Sequence, residues 1–496
     1  MGSTSPPATA KAPFDVKSIA IVGAGPSGLA AAKYLLAQGA FPRIDVFEQQ
    51  AEVGGVWYYS ATPRPLEELP VPQTDAHPAR VDPPVRVDGK PLFPSPMYDD
   101  LNTNIPHTIM KYSDLGFRDG CEIFPRREDV QAYLVQYAAD VRHLVTFSTQ
   151  VTDVKLRATA DAPWPGRDRW DVSTTDLLTG AETKETYDAV VVASGHYSTP
   201  YIPAGIPGTA AFHAAHPGVI SHSKLYRSPA PYRGKKVVVV GTGASGLDIA
   251  SQIARACEPP LLLAAREEVA DETLEHLGWD VVQVGQIKRF LVEERGVEFY
   301  TLGEEDGREV TGTRVEKDVD AVLFCTGYLS TFPFLTTFSD PPLVTDGRKV
   351  HGLAKHFLHI NHPTIAFPGL PIKVIPFPLT ESQGAVLARL WSNALPLPPR
   401  SVLEEWARED GEGTSPGKYH VFPKGGDGRY INELHDWVVR EGGGEKGGKV
   451  PPYWDGELLW QRGIYIEAKM EFERTGKKAK TLAELNFKYE PENEVE

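Results

Sequence analysis

Two unbroken apolar runs stand out along this chain, each closed by a glycine cluster and followed by apolar positions at helical spacing. Ser18-Ile-Ala-Ile-Val22 leads into Gly23-Ala-Gly25-Pro-Ser27-Gly28 and the helix-like Leu29-Ala-Ala-Ala-Lys-Tyr-Leu-Leu. Lys236-Val-Val-Val-Val240 leads into Gly241-Thr-Gly243-Ala-Ser245-Gly246 and Leu247-Asp-Ile-Ala-Ser-Gln-Ile. A short continuous apolar run bounded by turn residues reads as a strand covered on both faces. Each block is therefore predicted as strand, tight turn, helix. Ile44-Asp-Val-Phe-Glu48 completes a β-α-β unit over residues 18–48.

The rest of the pattern is uneven. Ala61 to Pro96 is crowded with proline and is predicted to be an irregular surface excursion. Arg127 to Ala138 has the spacing of an amphipathic helix, and residues 144–192 read as several strands. Ala189-Val-Val-Val-Ala-Ser-Gly195 and Asp320-Ala-Val-Leu-Phe-Cys-Thr-Gly327 mirror each other. They are expected to mark the two crossings between a discontinuous first domain and an inserted second one. The predicted class is α/β with two Rossmann-like dinucleotide-binding domains. Residues 1–14 would be a disordered lead-in, 15–212 and 320–496 the first domain with a C-terminal extension, and 213–319 the insert. Beyond about residue 396 the periodicity fades. Glu441 to Gly448 reads as a flexible loop and Lys480-Thr-Leu-Ala-Glu-Leu485 as a late helix.

The turns carry the chemistry. In a G-x-G-x-x-G turn the first glycine permits the sharp exit from the strand, the second lets backbone approach a pyrophosphate, and the third allows close helix–strand packing. The helix start offers free N–H groups and a positive dipole end to phosphate. About twenty residues past Gly28 comes Glu48, an acid suited to ribose hydroxyls. About the same distance past Gly246 comes Arg266, whose guanidinium suits a ribose 2′-phosphate. The first nucleotide is therefore read as FAD and the second as NADPH. The bland alternatives are structural turns and, for Arg266, a solvated charge.

The chain has 496 residues and a formal charge of −15, which argues against a nucleic-acid footprint. Its three cysteines, Cys121, Cys257 and Cys325, form no redox pair, zinc pattern or disulfide framework and are expected to be free and buried. His213 and His216, then His356, His359 and His362, cluster in sequence without a completing ligand set, so no metal is expected. No apolar run approaches a membrane span, and the N-terminus lacks a signal core, so a cytoplasmic protein is expected. The oligomeric state stays open, a homodimer among the options.

Several landmarks in order resemble the flavin-containing monooxygenases, class B flavoprotein monooxygenases. They are Gly54-Gly55-Val-Trp57, Tyr98 to Met110 with Thr103-Asn104-Ile-Pro106, Phe124-Pro-Arg-Arg-Glu-Asp-Val, and Thr326-Gly327-Tyr328. Pro217-Gly218 through His222 to Tyr226 resembles the family fingerprint F-x-G-x-x-x-H-x-x-x-(Y/F). The resemblance spans roughly Ser18 to Arg389. His216 stands where the fingerprint has phenylalanine, and Ala264 replaces a serine two residues before Arg266.

The resemblance implies that NADPH reduces the flavin, that reduced flavin and dioxygen form a peroxide adduct, and that a small nitrogen or sulfur nucleophile takes one oxygen. The cofactor supplies that chemistry; the protein supplies position and dryness. Asn104 is the candidate catalytic residue, since an amide donates and accepts at once. The other reading of Asn104 is a turn-forming residue before proline. The cofactor-binding set is Gly23, Gly25, Ser27, Gly28, Glu48, Gly55, Trp57, Thr103, Asn104, Gly241, Gly243, Ser245, Gly246, Arg266, Thr326 and Gly327. Trp57 and Tyr58 could equally be core packing. His222 reads as a structural link between domains more than a base, Tyr226 as packing or hinge, and Gln383 as a weak candidate near the cofactors. The alternatives are a Baeyer–Villiger monooxygenase, disfavoured by Tyr226 where tryptophan is typical; a flavin reductase, whose disulfide form lacks its cysteine pair here; and a degenerate binding protein, disfavoured by intact glycines.

Overall fold

The structure is a computed structural model that describes residues 13–157, 167–278, 280–301, 312–338, 341–409, 419–443 and 447–491. Its larger sheet has seven strands. Within it Ser18–Val22 lies parallel between Arg43–Phe47 and the central strand Ala189–Val192. Alternate residues of this strand enter different cores: Ile19 and Ile21 pack on the helical side, Ala20 and Val22 on the other. That explains a run with no polar position. The helix Pro26–Gln38 covers one face against Pro376–Trp391, whose side chains from Phe377 onward are all buried. The opposite core is closed by the antiparallel strands Thr149–Leu156, Trp170–Asp176 and Glu182–Tyr187.

The second sheet has five parallel strands, in the order Ile220–His222, Ala321–Phe324, Val237–Val240, Leu261–Ala264, Val281–Val284. Again Val238 and its neighbours Val237 and Val239 feed separate cores. The sequence reading placed the strand at 320–324 on the far side of the crossing. Its backbone partners place it inside the inserted sheet, between Ile220–His222 and Val237–Val240. The two crossings lie side by side: Thr199–Pro200 pairs antiparallel with Tyr328–Leu329.

The proline-rich stretch is largely irregular and holds only a short hairpin, Val85–Val87 with Lys90–Leu92. It is nevertheless a bridge: Leu69 packs in a core of the second sheet, Ala76 in a core of the first. Phe14, expected at the end of the lead-in, is 3% exposed and exchanges backbone hydrogen bonds with the Asn393 amide. Residues 444–446 of the expected glycine loop lie outside the described residues. Where the periodicity faded, the chain forms the helices Arg400–Glu409, Gly426–Glu441 and Gly456–Arg474. The late helix expected at 480–485 is a single 3-10 turn, Ala483–Leu485.

Candidate active site

The two glycine turns are built alike. Gly23 has φ +99°, and a Cβ there would stand 2.6 Å from the Ala193 carbonyl oxygen; Gly241 has φ +111° and would meet the Cys325 oxygen at 2.8 Å. A Cβ on Gly28 would lie 1.9 Å from the Gly23 oxygen, and one on Gly246 2.0 Å from the Gly241 oxygen. These four glycines are demanded by packing. The middle ones differ. A Cβ on Gly25 would stand 3.3 Å from the Gly55 Cα, whereas one on Gly243 would meet nothing within 4 Å. Neither helix has a side-chain cap, and the first begins with proline. Uncapped first-turn N–H groups behind a backbone cleared of side chains are what a pyrophosphate requires, so both turns fit one.

The strand ends beyond the turns also differ. Glu48 is buried and accepts from the backbone N–H of Ala24 at 2.7 Å and of Gln50 at 2.8 Å. Desolvation raises its pKa, and the backbone donors oppose that shift. These bonds fix its orientation, and a carboxylate has lone pairs left for ribose hydroxyls. Arg266 is exposed just past Leu261–Ala264.

The candidate catalytic turn sits on supports from distant segments. Thr103 is buried; its N–H donates to the Pro125 oxygen at 2.8 Å and its hydroxyl to the Ile105 oxygen at 2.8 Å. Asn104 beside it is exposed, and among the described residues no hydrogen bond engages its amide. Trp57 is half-buried against the first core, and Ser27 lies against Gly369, where a Cβ would meet its Oγ at 2.3 Å. Ser245 is exposed in the first turn of its helix. Thr326 and Gly327 serve the crossing: the Thr326 hydroxyl donates to the Tyr201 oxygen, and the Gly327 oxygen accepts from Tyr201 N–H at 2.9 Å.

His222 is fully buried and links the same crossing. Its Nδ1 accepts from Lys224 N–H at 3.1 Å, which leaves Nε2 to donate to the Gly327 oxygen at 3.0 Å. Burial pushes its pKa down to about 3, so it is a neutral connector and no base. Tyr328 meets both His222, at 5.2 Å, and Tyr197, at 5.3 Å, edge to face. Gln383 is buried; its Oε1 holds Gly369 N–H at 2.8 Å and thereby backs Ser27.

Sequence reasoning missed the residues that brace these turns, since each lies far away in the chain. Arg227 donates to the carbonyls of Ser60, Ser95, Lys224 and Tyr226. Lys469 on the last long helix donates to the Thr103 oxygen at 3.0 Å. Cys121 and Cys257 are buried and free, while Cys325 is half-buried. His356 and His420 meet through their Nδ1 atoms at 3.2 Å, and His362 pairs with Asp168 at 3.2 Å. Among the described residues one potential ligand group, Cys121, Glu122 and Asp129, falls within 4.8 Å, and its Asp129 is already tied to Arg118. No helix among them is long and apolar enough to cross a membrane.

Comparison with known proteins adds to this geometry. A family model described as flavin-binding monooxygenase-like matches residues 94–305, and one for an NAD(P)-binding Rossmann-like domain matches residues 21–77. Flavin-containing monooxygenase FMO GS-OX-like 4 of Arabidopsis thaliana is 32% identical over 402 residues, 79% of each chain. The thiol-specific monooxygenase of Saccharomyces cerevisiae is 30% identical over 460 residues, 90% of each. The solved S-allyl-L-cysteine S-oxygenase from Allium sativum has a TM-score of 0.70 at 26% identity, covering 96% of this chain and 98% of that one.

Proposed function

The chain belongs to the flavin-containing monooxygenases, and from that premise we propose that it oxygenates the sulfur of a small thiol or thioether, using FAD, NADPH and dioxygen. The observation that carries this is the pair of matching glycine turns whose strand ends diverge, a buried acid after one and an exposed arginine after the other. Two dinucleotides of different kind then serve one reaction. Sulfur is chosen over nitrogen because the yeast and garlic relatives are named for thiol and thioether chemistry.

The flavin, when bound, supplies hydride acceptance and the activation of dioxygen. The protein's residues hold and shield it. Main-chain N–H groups after Gly25 take the FAD pyrophosphate, and Glu48 takes the ribose hydroxyls. N–H groups after Gly243 take the NADPH pyrophosphate, and Arg266 takes the 2′-phosphate. Asn104 is assigned to the reacting edge, since its amide is uncommitted within the chain and stands on the fixed Thr103. Neutral His222 keeps the crossing closed without adding a charge that would draw in water. The compartment is taken to be the cytoplasm.

The test is direct. The purified protein should be yellow and should consume NADPH faster with glutathione, cysteine or an S-alkyl cysteine than with a tertiary amine. Oxygenation of a cyclic ketone in preference to all of these, or NADPH oxidation yielding only peroxide with every one, would overturn the assignment.

A further inference from the structure

The segment that carries Asn104 begins at Tyr98, and Tyr98 is not a surface residue. It is 5% exposed, and its hydroxyl donates to Oδ2 of Asp248. Asp248 lies on the helix Ala244–Ala254, within the first turns after the glycine cluster that we assign to NADPH. Gln252, one turn further on, donates to the same carboxylate oxygen at 3.3 Å and accepts from the Tyr226 hydroxyl at 3.0 Å. Tyr226 is itself buried and meets Tyr98 edge to face at 5.3 Å. These four side chains form a chain of three hydrogen bonds, closed by one aromatic contact, in the seam between the inserted unit and the Tyr98–Met110 segment.

The far end of that segment is held as firmly. Thr103 is fixed by Pro125 and by Lys469, and Leu101 accepts from Arg127 N–H at 3.2 Å. Desolvation raises the pKa of Asp248, and the Tyr98 hydrogen bond and the Lys469 charge only partly oppose that rise. A shift of the helix start is therefore transmitted to Tyr98 through its hydrogen bond to Asp248.

We propose that Tyr98 and Asp248 are positioning residues that couple occupancy of the second glycine turn to the placement of Asn104. Nucleotide phosphate settling on the uncapped helix start orders the first turns, Asp248 among them. The Tyr98 hydroxyl is fixed with it, and the short segment from Tyr98 to Thr103, now held at both ends, presents Asn104 in one position. This inference rests on the assignment of NADPH to the second turn and of Asn104 to the reacting edge.

Hydrogen exchange on the FAD-loaded protein, with and without NADP+, tests it without turnover. In the wild type, NADP+ is expected to protect both the amides of 241–250 and those of 99–105. In Tyr98→Phe the first protection should persist while the second falls about tenfold, the scale of one hydrogen bond to a charged group. Phenylalanine keeps the ring contact with Tyr226, so a packing role for Tyr98 predicts no change. Asp248→Ala should behave as Tyr98→Phe does. Asp248→Asn, whose amide oxygen still accepts, should retain most of the protection at 99–105, which also keeps the test open should Tyr98→Phe fail to fold. Unchanged protection at 99–105 in both Tyr98→Phe and Asp248→Ala would overturn the coupling alone. Absence of NADP+ protection at 241–250 in the wild type would overturn the turn assignment, and the coupling with it.

Discussion

Replacing Gly243 and Gly246 separately by alanine should separate binding from folding within a single turn. A Cβ on Gly246 would stand 2.0 Å from the Gly241 oxygen, a backbone atom that cannot rotate aside. Relief requires the helix to move off its strand. Overpacking of this kind costs on the order of 1–3 kcal/mol, and a backbone neighbour puts it at the upper end. Gly243 has φ −69° and ψ 174°, which alanine adopts readily, and no neighbour within 4 Å. Gly243→Ala should change stability by less than about 1 kcal/mol, because the gain through the unfolded chain is opposed by alanine's poorer fit at this helix N-cap. The new methyl would instead stand where the pyrophosphate approaches. Losing one charge-assisted hydrogen bond there is worth about 1.5–3 kcal/mol, or roughly ten- to more than hundredfold in affinity. Thermal melts of the FAD-loaded variants read the first quantity. Anaerobic flavin reduction at varied NADPH concentration reads the second. An unchanged NADPH affinity in Gly243→Ala would refute the close approach of phosphate, and a wild-type melting temperature in Gly246→Ala would refute the packing argument.

Arg266→Ala should weaken NADPH by about tenfold or more while leaving NADH nearly unaffected, because only the former offers a dianion to the guanidinium; equal losses in steady-state KM would remove its phosphate role. Asn104→Ala should melt like the wild type, since the amide is uncommitted, yet form about a hundredfold less oxygenated product with more peroxide per NADPH; unchanged product yield would return Asn104 to the status of a turn residue. Burial holds the pKa of His222 at about 3, His356 at about 4 and His359 at about 3. Each binds fewer protons folded than unfolded, so its contribution is complete above pH 6.5 and is lost as pH falls toward the folded value, by about 2 kcal/mol for the lowest at pH 5. His359→Gln, which can still accept from His362 N–H, should flatten the fall in melting temperature between pH 7 and pH 5; an unaltered slope would contradict this.

The glycine turns were legible because everything that defines them is local. Apolar strand, glycines and helix occupy a few consecutive residues, and the partners Ala193 and Cys325 repeat the same geometry at each site. The helix at Arg127–Tyr137 was legible for the same reason. The helix Gly456–Arg474 was not, because its periodicity is broken. It buries Gln461 and exposes Leu459 and Ile466, which masks the narrow stripe of Trp460, Ile464, Ala468 and Phe472 that it packs into a small core. Lys469 on that helix reads as an ordinary surface charge until the fold brings it to Thr103. The strand Ala321–Phe324 was recognised as a strand but assigned to the wrong side of the crossing. An apolar run specifies burial on both faces, while its neighbours are a matter of topology.

The side-by-side crossings limit how the molecule can breathe. A body joined by one strand is free to spin about it; two strands laced together at Thr199–Leu329 and Pro200–Tyr328 oppose that rotation. The Gln73–Ile202 bridge adds the proline-rich stretch to the same joint. The two units therefore share a three-strand seam at the crossing, remote in sequence from both glycine turns.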